Sequence, residues 1–342
     1  IKRIVPRENE AINETWIADR DRFSYEGIYS PERLKNPKLK VNNEWKDIHW
    51  EQALNIVVEQ INSADKDQIS LLASPSSTTE EFYLLSKIAD GLGVNNLDHR
   101  LRRTDFSDQD NDPIAPWLGT SISDIESCKS IILIGSDIRK EAPIIAHRIR
   151  KSALSGSQVS FINSEFSDYF FDVSSYMTDD ILESLCTLVR ALKIKLSNGA
   201  ASIESSMSKS DDSEAIAKSL SSEGDNLILL GHEAINHPQS STIRYLASLI
   251  AKATDSKFGF VTEGSNTIGA CLTGITPHRG MSGAKRSEPG QNTDTIKECD
   301  SKLTLLWNSE PNADIPNFAD KKENDASVIA FSSHFTDNFS NI

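Results

Sequence analysis

Residues 98–105 read Asp-His-Arg-Leu-Arg-Arg-Thr-Asp, and they gather Arg100, Arg102 and Arg103 in a chain whose formal net charge is -14. Guanidinium groups pair bidentately with carboxylate and phosphate, so the run reads as an anion site, a salt-bridged subunit contact or a solvated loop. A second candidate is Gly135 with Ser136. The apolar run 131–134 stops at Gly135, and Ala142, Ile145, Ala146, Ile149 and Ala153 then recur at helical spacing. That pattern is a buried parallel strand turning tightly into a helix, and open α/β sheets hold nucleotide-like ligands in the crevice at such a strand's carboxyl end. A dinucleotide needs several glycines at this turn, however, so that backbone can approach the pyrophosphate. Gly135 stands alone in its turn, and what remains is a helix start with free N–H groups able to hold an anion.

The other reactive residue types form no chemical pattern. His49, His99, His147, His232, His237, His278 and His334 show no His-Glu-x-x-His arrangement, and His232 and His237 read as loop residues around Asn236. Cys128, Cys186, Cys271 and Cys299 lie far apart without a Cys-x-x-Cys pair, so neither zinc nor a local iron-sulfur cluster is indicated, and free thiols in a reducing compartment account for them. No Gly-x-Ser-x-Gly elbow marks a serine hydrolase. The acidic balance excludes a nucleic-acid backbone as the main partner. There is no signal peptide and no apolar run of about 18 residues, so no direct membrane insertion is expected. The chain opens on Ile1 without an initiator Met and reads as an excised piece of a longer polypeptide.

The 342 residues allow about two domains. Residues 1–43 keep no helical or strand period and read as an extended segment. Trp50 introduces a helix with the stripe Ala53, Leu54, Ile56, Val57 and Ile61; strand 69–73 follows, then a helix capped by Thr78 or Thr79 and ended by Gly91 and Gly93. Beyond the central strand, turn and helix come strand 159–162, helix 179–196, a Ser-rich connection over 197–223 around a short amphipathic segment at 215–220, strand 226–231 and helix 241–253. Strand 258–262, a glycine-punctuated loop at 264–274 and strands 303–307 and 327–331 complete the pattern. Strands alternating with helices indicate an α/β fold with parallel, doubly wound sheets.

Several motifs resemble one family in particular: PRENEAINETWIADRDRFSYEG (6–27), SPERL (30–34), TTEEFYLLSKIADGLG (78–93), NNLDHRLRRTDFSD (95–108), LIGSDIRKEAPIIAHRIRK (133–151), and GSNTIGACLTG with PHRG (264–280). Together they are similar to the large iron-sulfur subunit of bacterial NADH-quinone oxidoreductase, respiratory complex I. More widely they resemble the molybdopterin oxidoreductase superfamily, with formate dehydrogenase and nitrate reductase. The resemblance implies Rossmann-like doubly wound sheets of the formate dehydrogenase and DMSO reductase type, one domain inserted in another. Residues 1–50 would close the first, iron-sulfur type domain, 51–125 would pair with 225–342, and 126–224 would be the insert.

It further implies a scaffold role, without a chemical step of its own, in a complex that passes electrons from NADH to quinone and pumps protons. The partners would be other hydrophilic-arm subunits on the cytoplasmic side of the bacterial inner membrane. The electron-carrying iron-sulfur clusters of the large subunit would lie N-terminal to Ile1; relatives with a cluster in the first domain carry a Cys near Ala18 that this chain lacks, so that cluster is expected to be absent. Where catalytic relatives have a metal-ligating Cys or selenocysteine and then a His, this chain has Thr104 and Asp105. Asn163, Ser164 and Glu165 replace their Asp-Pro-Arg, and residues 176–179 replace their Pro-Gly-Thr-Asp. Thr104, Gly135 and Ser136 would then mark a vestigial pocket with no cofactor, no metal and no catalytic residue, and Arg100, Arg102 and Arg103 an interface. The competing classes are a molybdenum or tungsten oxidoreductase of the formate dehydrogenase type and a small-ligand-binding α/β module.

Overall fold

Runs made mostly of apolar residues and bounded by glycine and polar residues become buried parallel strands here, because a sheet covered on both faces leaves little room for polar side chains. The computed structural model describes residues 1, 3–196, 210–296, 301–318 and 326–340. Among these, eleven strands follow in chain order: β1 (Lys38–Val41), β2 (Glu44–Asp47), β3 (Ile69–Ala73), β4 (Leu97–Asp98), β5 (Ser130–Ile134), β6 (Gln158–Ile162), β7 (Ser175–Met177), β8 (Asn226–Leu230), β9 (Lys257–Phe260), β10 (Leu303–Trp307) and β11 (Ser327–Phe331). They fall into two units. One comprises Ile1–Ser24, Thr104–Asp112 and Pro116–Glu263, and the other Tyr25–Arg103, Pro113–Ala115 and Gly264–Ile342. Cys299 and residues 197–209 of the Ser-rich connection lie outside the described residues.

The first unit holds a parallel sheet of order β7-β6-β5-β8-β9. Ile134 of β5 lies opposite Ile162 on one side and Leu230 on the other, so three strand ends are level. Alternation along each strand divides the core. Ile132, Ile134, Ile162, Ile228 and Leu230 face the helices Ile181–Ala191, Asp211–Leu220 and Ser240–Ala253. Ile131, Leu133, Val159, Phe161, Leu227 and Leu229 face the other way, toward the helix Pro143–Leu154. Each fully buried aliphatic side chain of this kind stabilises by about 2 kcal/mol.

β8 and β9 therefore belong with β5. The domain boundary expected at residue 224 is corrected to the neighbourhood of Glu263. The reason is physical: an insert ending at 224 would leave β5, buried along its whole length, with one edge open to aggregation.

The second unit holds a parallel sheet of order β11-β10-β3-β4 and the antiparallel hairpin β1-β2. Its helix Thr79–Leu92 starts at a reciprocal capping box, in which Thr78 Oγ1 accepts from Glu81 N–H (3.2 Å) and Glu81 accepts from Thr78 N–H (2.7 Å). Other expectations change. Residues 1–43 contain the short helix Asp19–Phe23 and the hairpin strand β1, and the segment 264–274 contains the helix Thr267–Thr273. Helix 179–196 shortens to Ile181–Ala191: the Asp180 carboxylate caps its start, accepting from Glu183 N–H (3.0 Å), and Lys193, at φ +55°, turns the chain out of the helix beyond its end. The apolar stripe of Trp50–Ser63 buries no residue fully, and its Ile61 packs on the core cluster of Phe82 and Leu85.

Candidate functional site

In the first unit the chain runs outward from β5 to β6 and β7, then returns to β8 on the opposite side of β5. The junction of β5 and β8 is thus the switch point where such sheets open a crevice, and two glycines stand there. Gly135 has φ +60°, and a Cβ on it would lie 2.4 Å from Ala234 N; a Cβ on Gly231 would lie 2.3 Å from Ser136 Cβ. Gly135 N–H donates to the Ile162 carbonyl (2.8 Å), Gly231 N–H to that of Ile134 (2.9 Å) and Glu233 N–H to that of Gly135 (3.0 Å). Backbone of this chain, entering through the helix His232–Asn236, occupies the mouth of the crevice. Gly231 escaped the sequence analysis, although a glycine directly after the run 226–230 repeats the pattern of Gly135 after 131–134.

The turn's donors have internal acceptors. Glu141 accepts from Asp137 N–H (2.9 Å), Ser136 Oγ–H (2.8 Å) and His232 N–H (3.3 Å). Burial raises the Glu141 pKa above the ordinary carboxylate value, against the opposing pull of His232. Asn163 accepts from Ser136 N–H (2.9 Å) and donates back to the Ser136 carbonyl (3.0 Å) and to Tyr176 Oη (3.0 Å). Tyr176 Oη in turn donates to the Glu165 carbonyl (3.1 Å). Asn163 and Tyr176, two of the replacements noted in the sequence, thus tie their strand ends to the Gly135-Ser136 turn.

Thr104 and Asp105 lie in the same unit. Thr104 Oγ1 donates to the carbonyl of Asn236 (3.2 Å), the last residue of the helix beside Gly135. Asp105 accepts from Ser241 N–H (2.8 Å), Ser107 N–H (3.0 Å) and Ser107 Oγ–H (2.6 Å). Burial works against its ionisation, yet these donors pull its pKa down to about 2. Arg244, on the helix Asp105 caps, pairs with Asp108 (2.7 Å) and with Asp112. Removing the cap by Asp105→Ala is expected to destabilise the protein by about 1 kcal/mol, measured as a shift in urea midpoint at unchanged slope.

The three arginines belong to the second unit, and Thr104, Gly135 and Ser136 to the first. Arg100 grips Asp98 with two bonds of 2.8 Å, and Asp98 also accepts from Thr293 N–H (3.3 Å). Arg102 donates to the Ala313 carbonyl (3.1 Å) and lies 3.7 Å from Asp314. Arg103 is buried. Salt-bridged structure within the unit accounts for Arg100 and Arg102.

Burial opposes the charge on Asp98, but Arg100 overcomes it and the pKa falls to about 2. Because the folded pKa lies below the unfolded value of about 4, the stabilisation is complete above that pH and disappears as pH falls through 2. We expect unfolding free energy to drop by about 2 kcal/mol over this window, and the drop to shrink in Asp98→Asn.

Sequence reasoning missed the densest ionic cluster among the described residues. Arg148, 4% exposed, donates to the carbonyls of Glu10 and Ile12 and to the carboxylates of Glu14 (3.0 Å) and Glu126. Lys151 pairs with the same two carboxylates, and His147 Nε2 lies 3.3 Å from Glu14. His147, Arg148 and Lys151 project from one turn of Pro143–Leu154 and hold residues 10–14 against the first unit. Within residues 10–14 only Glu14 contributes a carboxylate, while Glu10 and Ile12 contribute backbone carbonyls, which no side-chain pattern in the sequence announces. Among the described residues, no group of three or more His, Cys, Asp or Glu side chains could hold a metal ion, and no helix is long and apolar enough to cross a membrane.

Comparison with known proteins fits this architecture. The family model "NADH-ubiquinone oxidoreductase NDSU1/NuoG-like, 4Fe-4S domain" matches residues 1–26. The G subunit of NADH-quinone oxidoreductase from Rickettsia typhi is 32% identical over 159 residues, 46% of this chain and 23% of that protein. The NADH-ubiquinone oxidoreductase 75 kDa subunit of Reclinomonas americana is 26% identical over 299 residues, 80% of this chain and 39% of that protein. The chain thus spans 23% and 39% of the length of these two relatives. Acetylene hydratase from Pelobacter acetylenicus shares the fold with a TM-score of 0.55 at 9% identity, over 98% of this chain and 58% of that one. The molybdopterin oxidoreductase model matches residues 33–342, and with two parallel, helix-covered sheets beneath that match the chain belongs to the molybdopterin oxidoreductase family.

Proposed function

We propose that this chain is a scaffold region of the large iron-sulfur subunit of an NADH:quinone oxidoreductase, a molybdopterin oxidoreductase fold kept for its shape. One observation carries this: the donors of the Gly135-Ser136 turn already have Glu141 and Asn163 as partners. The residues at the crevice do not fit a molybdopterin group. A buried carboxylate stands where an anionic ligand would need donors, Thr104 offers a hydroxyl where a soft thiolate would ligate the metal, and Asp105 caps a helix. The chain's own contribution is mechanical. Arg148 clamps residues 10–14, inside the segment matching the iron-sulfur domain model, to a rigid sheet. Electron transfer from NADH to quinone, coupled to proton translocation, then proceeds through clusters borne by the rest of the large subunit, held at fixed spacing.

The partners in this reading are other subunits of the hydrophilic arm, on the cytoplasmic face of the bacterial inner membrane, and the half-exposed Arg102 is the member of the arginine run presented toward them. This part of the large subunit carries no cofactor. The test is elemental analysis of the intact large subunit purified from its native complex. Iron without molybdenum or tungsten is expected. Stoichiometric molybdenum or tungsten, or a released fluorescent pterin, would overturn the scaffold reading in favour of a formate dehydrogenase-type enzyme.

A further inference from the structure

The second unit contains a cysteine and a histidine placed for thiol chemistry. Cys271, on the helix Thr267–Thr273, has its Sγ 3.8 Å from His99 Nε2. The other ring nitrogen, Nδ1, lies 2.7 Å from the carbonyl of Ile275. A carbonyl only accepts, so Nδ1 carries the proton and Nε2 presents its lone pair to the thiol. The arrangement is nucleophile, base and orienting acceptor, the geometry that activates cysteines in general. His99 is 1% exposed, which fixes the ring, while Cys271 is partly open to solvent. Cys128 and Cys186 are buried, and burial raises both thiol pKa values, that of Cys186 to about 11. Burial also lowers the His99 pKa, although neighbouring Asp98 pulls it up; Arg100 and Arg103 are the other charged groups acting on it, and both lower it. A neutral imidazole at physiological pH follows.

We propose that Cys271 is a thiol–disulfide exchange site with His99 as its base. The thiol proton passes to His99 Nε2, and the sulfur attacks one sulfur of a small disulfide. The Cys271–S bond forms as the reagent's S–S bond breaks, and the departing thiolate takes the proton from His99. Cys271 is oxidised to a mixed disulfide, and the reagent is reduced to one thiol. The structure points to small, soluble disulfides of the glutathione class, because Cys271 is only partly exposed.

The test uses the full chain carrying Cys299→Ser, glutathione disulfide as the probe, and peptide mass mapping against time. Cys271 is expected to react at least about tenfold faster than Cys128 or Cys186. Equal rates at the three positions would overturn the proposal. His99→Gln, which keeps a donor for the Ile275 carbonyl but has no basic nitrogen, should slow Cys271 by about tenfold or more. An unchanged rate in a folded His99→Gln protein also overturns it. If that variant does not fold, the pH profile of the parent decides. Base assistance predicts a nearly flat Cys271 rate from about pH 6.5 to about 8, whereas an unassisted thiol gains close to tenfold per pH unit below its pKa, and the steep profile excludes the dyad.

Discussion

Gly135→Val is expected to abolish cooperative folding of the first unit, and Gly135→Ala to do nearly as much damage. The harm begins at the first carbon, since an added Cβ would stand 2.4 Å from Ala234 N and 2.7 Å from Ala234 Cβ, with φ held at +60°. Backbone of the helix His232–Asn236 cannot withdraw without breaking the bonds from Gly231 N–H to Ile134 and from Glu233 N–H to Gly135. Overlap with backbone in a core that packs as densely as a crystal, added to left-handed strain, places the cost at roughly 4 kcal/mol or more. Gly156 is the control. It also has a positive φ, +100°, but nothing lies within 4 Å of its added Cβ, so Gly156→Ala should cost only about 1 kcal/mol. Chemical denaturation of the three variants separates the close-approach account from a simple turn preference. Similar small losses at Gly135 and Gly156 would defeat it.

Arg148→Ala has the second-largest expected effect. The side chain has no solvent to replace its partners, and its loss strands the Glu10 and Ile12 carbonyls and removes the shared cation from Glu14 and Glu126. Breaking a buried ionic network of this kind costs about 3 kcal/mol. Lys151 still neutralises the two carboxylates, so the damage should concentrate at the backbone carbonyls and release residues 1–24 ahead of the sheet. Limited proteolysis is the measurement, and cleavage within that segment should precede global unfolding. Arg148→Lys should recover the charge but not the fork that reaches both carbonyls and carboxylates, leaving an intermediate defect. A variant cut no faster than the parent would show that residues 10–14 are held by something else.

Strand content was legible from the sequence wherever burial is continuous. The runs 69–73, 131–134, 226–230 and 303–307 are apolar apart from Ser70, Asn226 and Thr304, and a strand covered on both faces favours such near-continuous runs. Gly135 was legible for the same reason, as the residue at which such a run ends. The motifs likewise carried the family, because Thr104, Asp105 and Asn163 stand at positions recognisable from their neighbours. Short-range chemistry could not say which sheet each strand joins. β8, and β9 beside it, were assigned across the wrong boundary, since the hydrogen bonding of β8 to β5 links residues about a hundred positions apart and leaves no local trace. Nor could spacing show that Glu141 turns back on the Gly135-Ser136 turn, that Arg148 meets Glu14 and Glu126, or that Cys271 lies against His99. Each of those pairings depends on where a side chain ends in three dimensions, and only the packed tertiary structure, in which buried donors and charges must find partners, determines that.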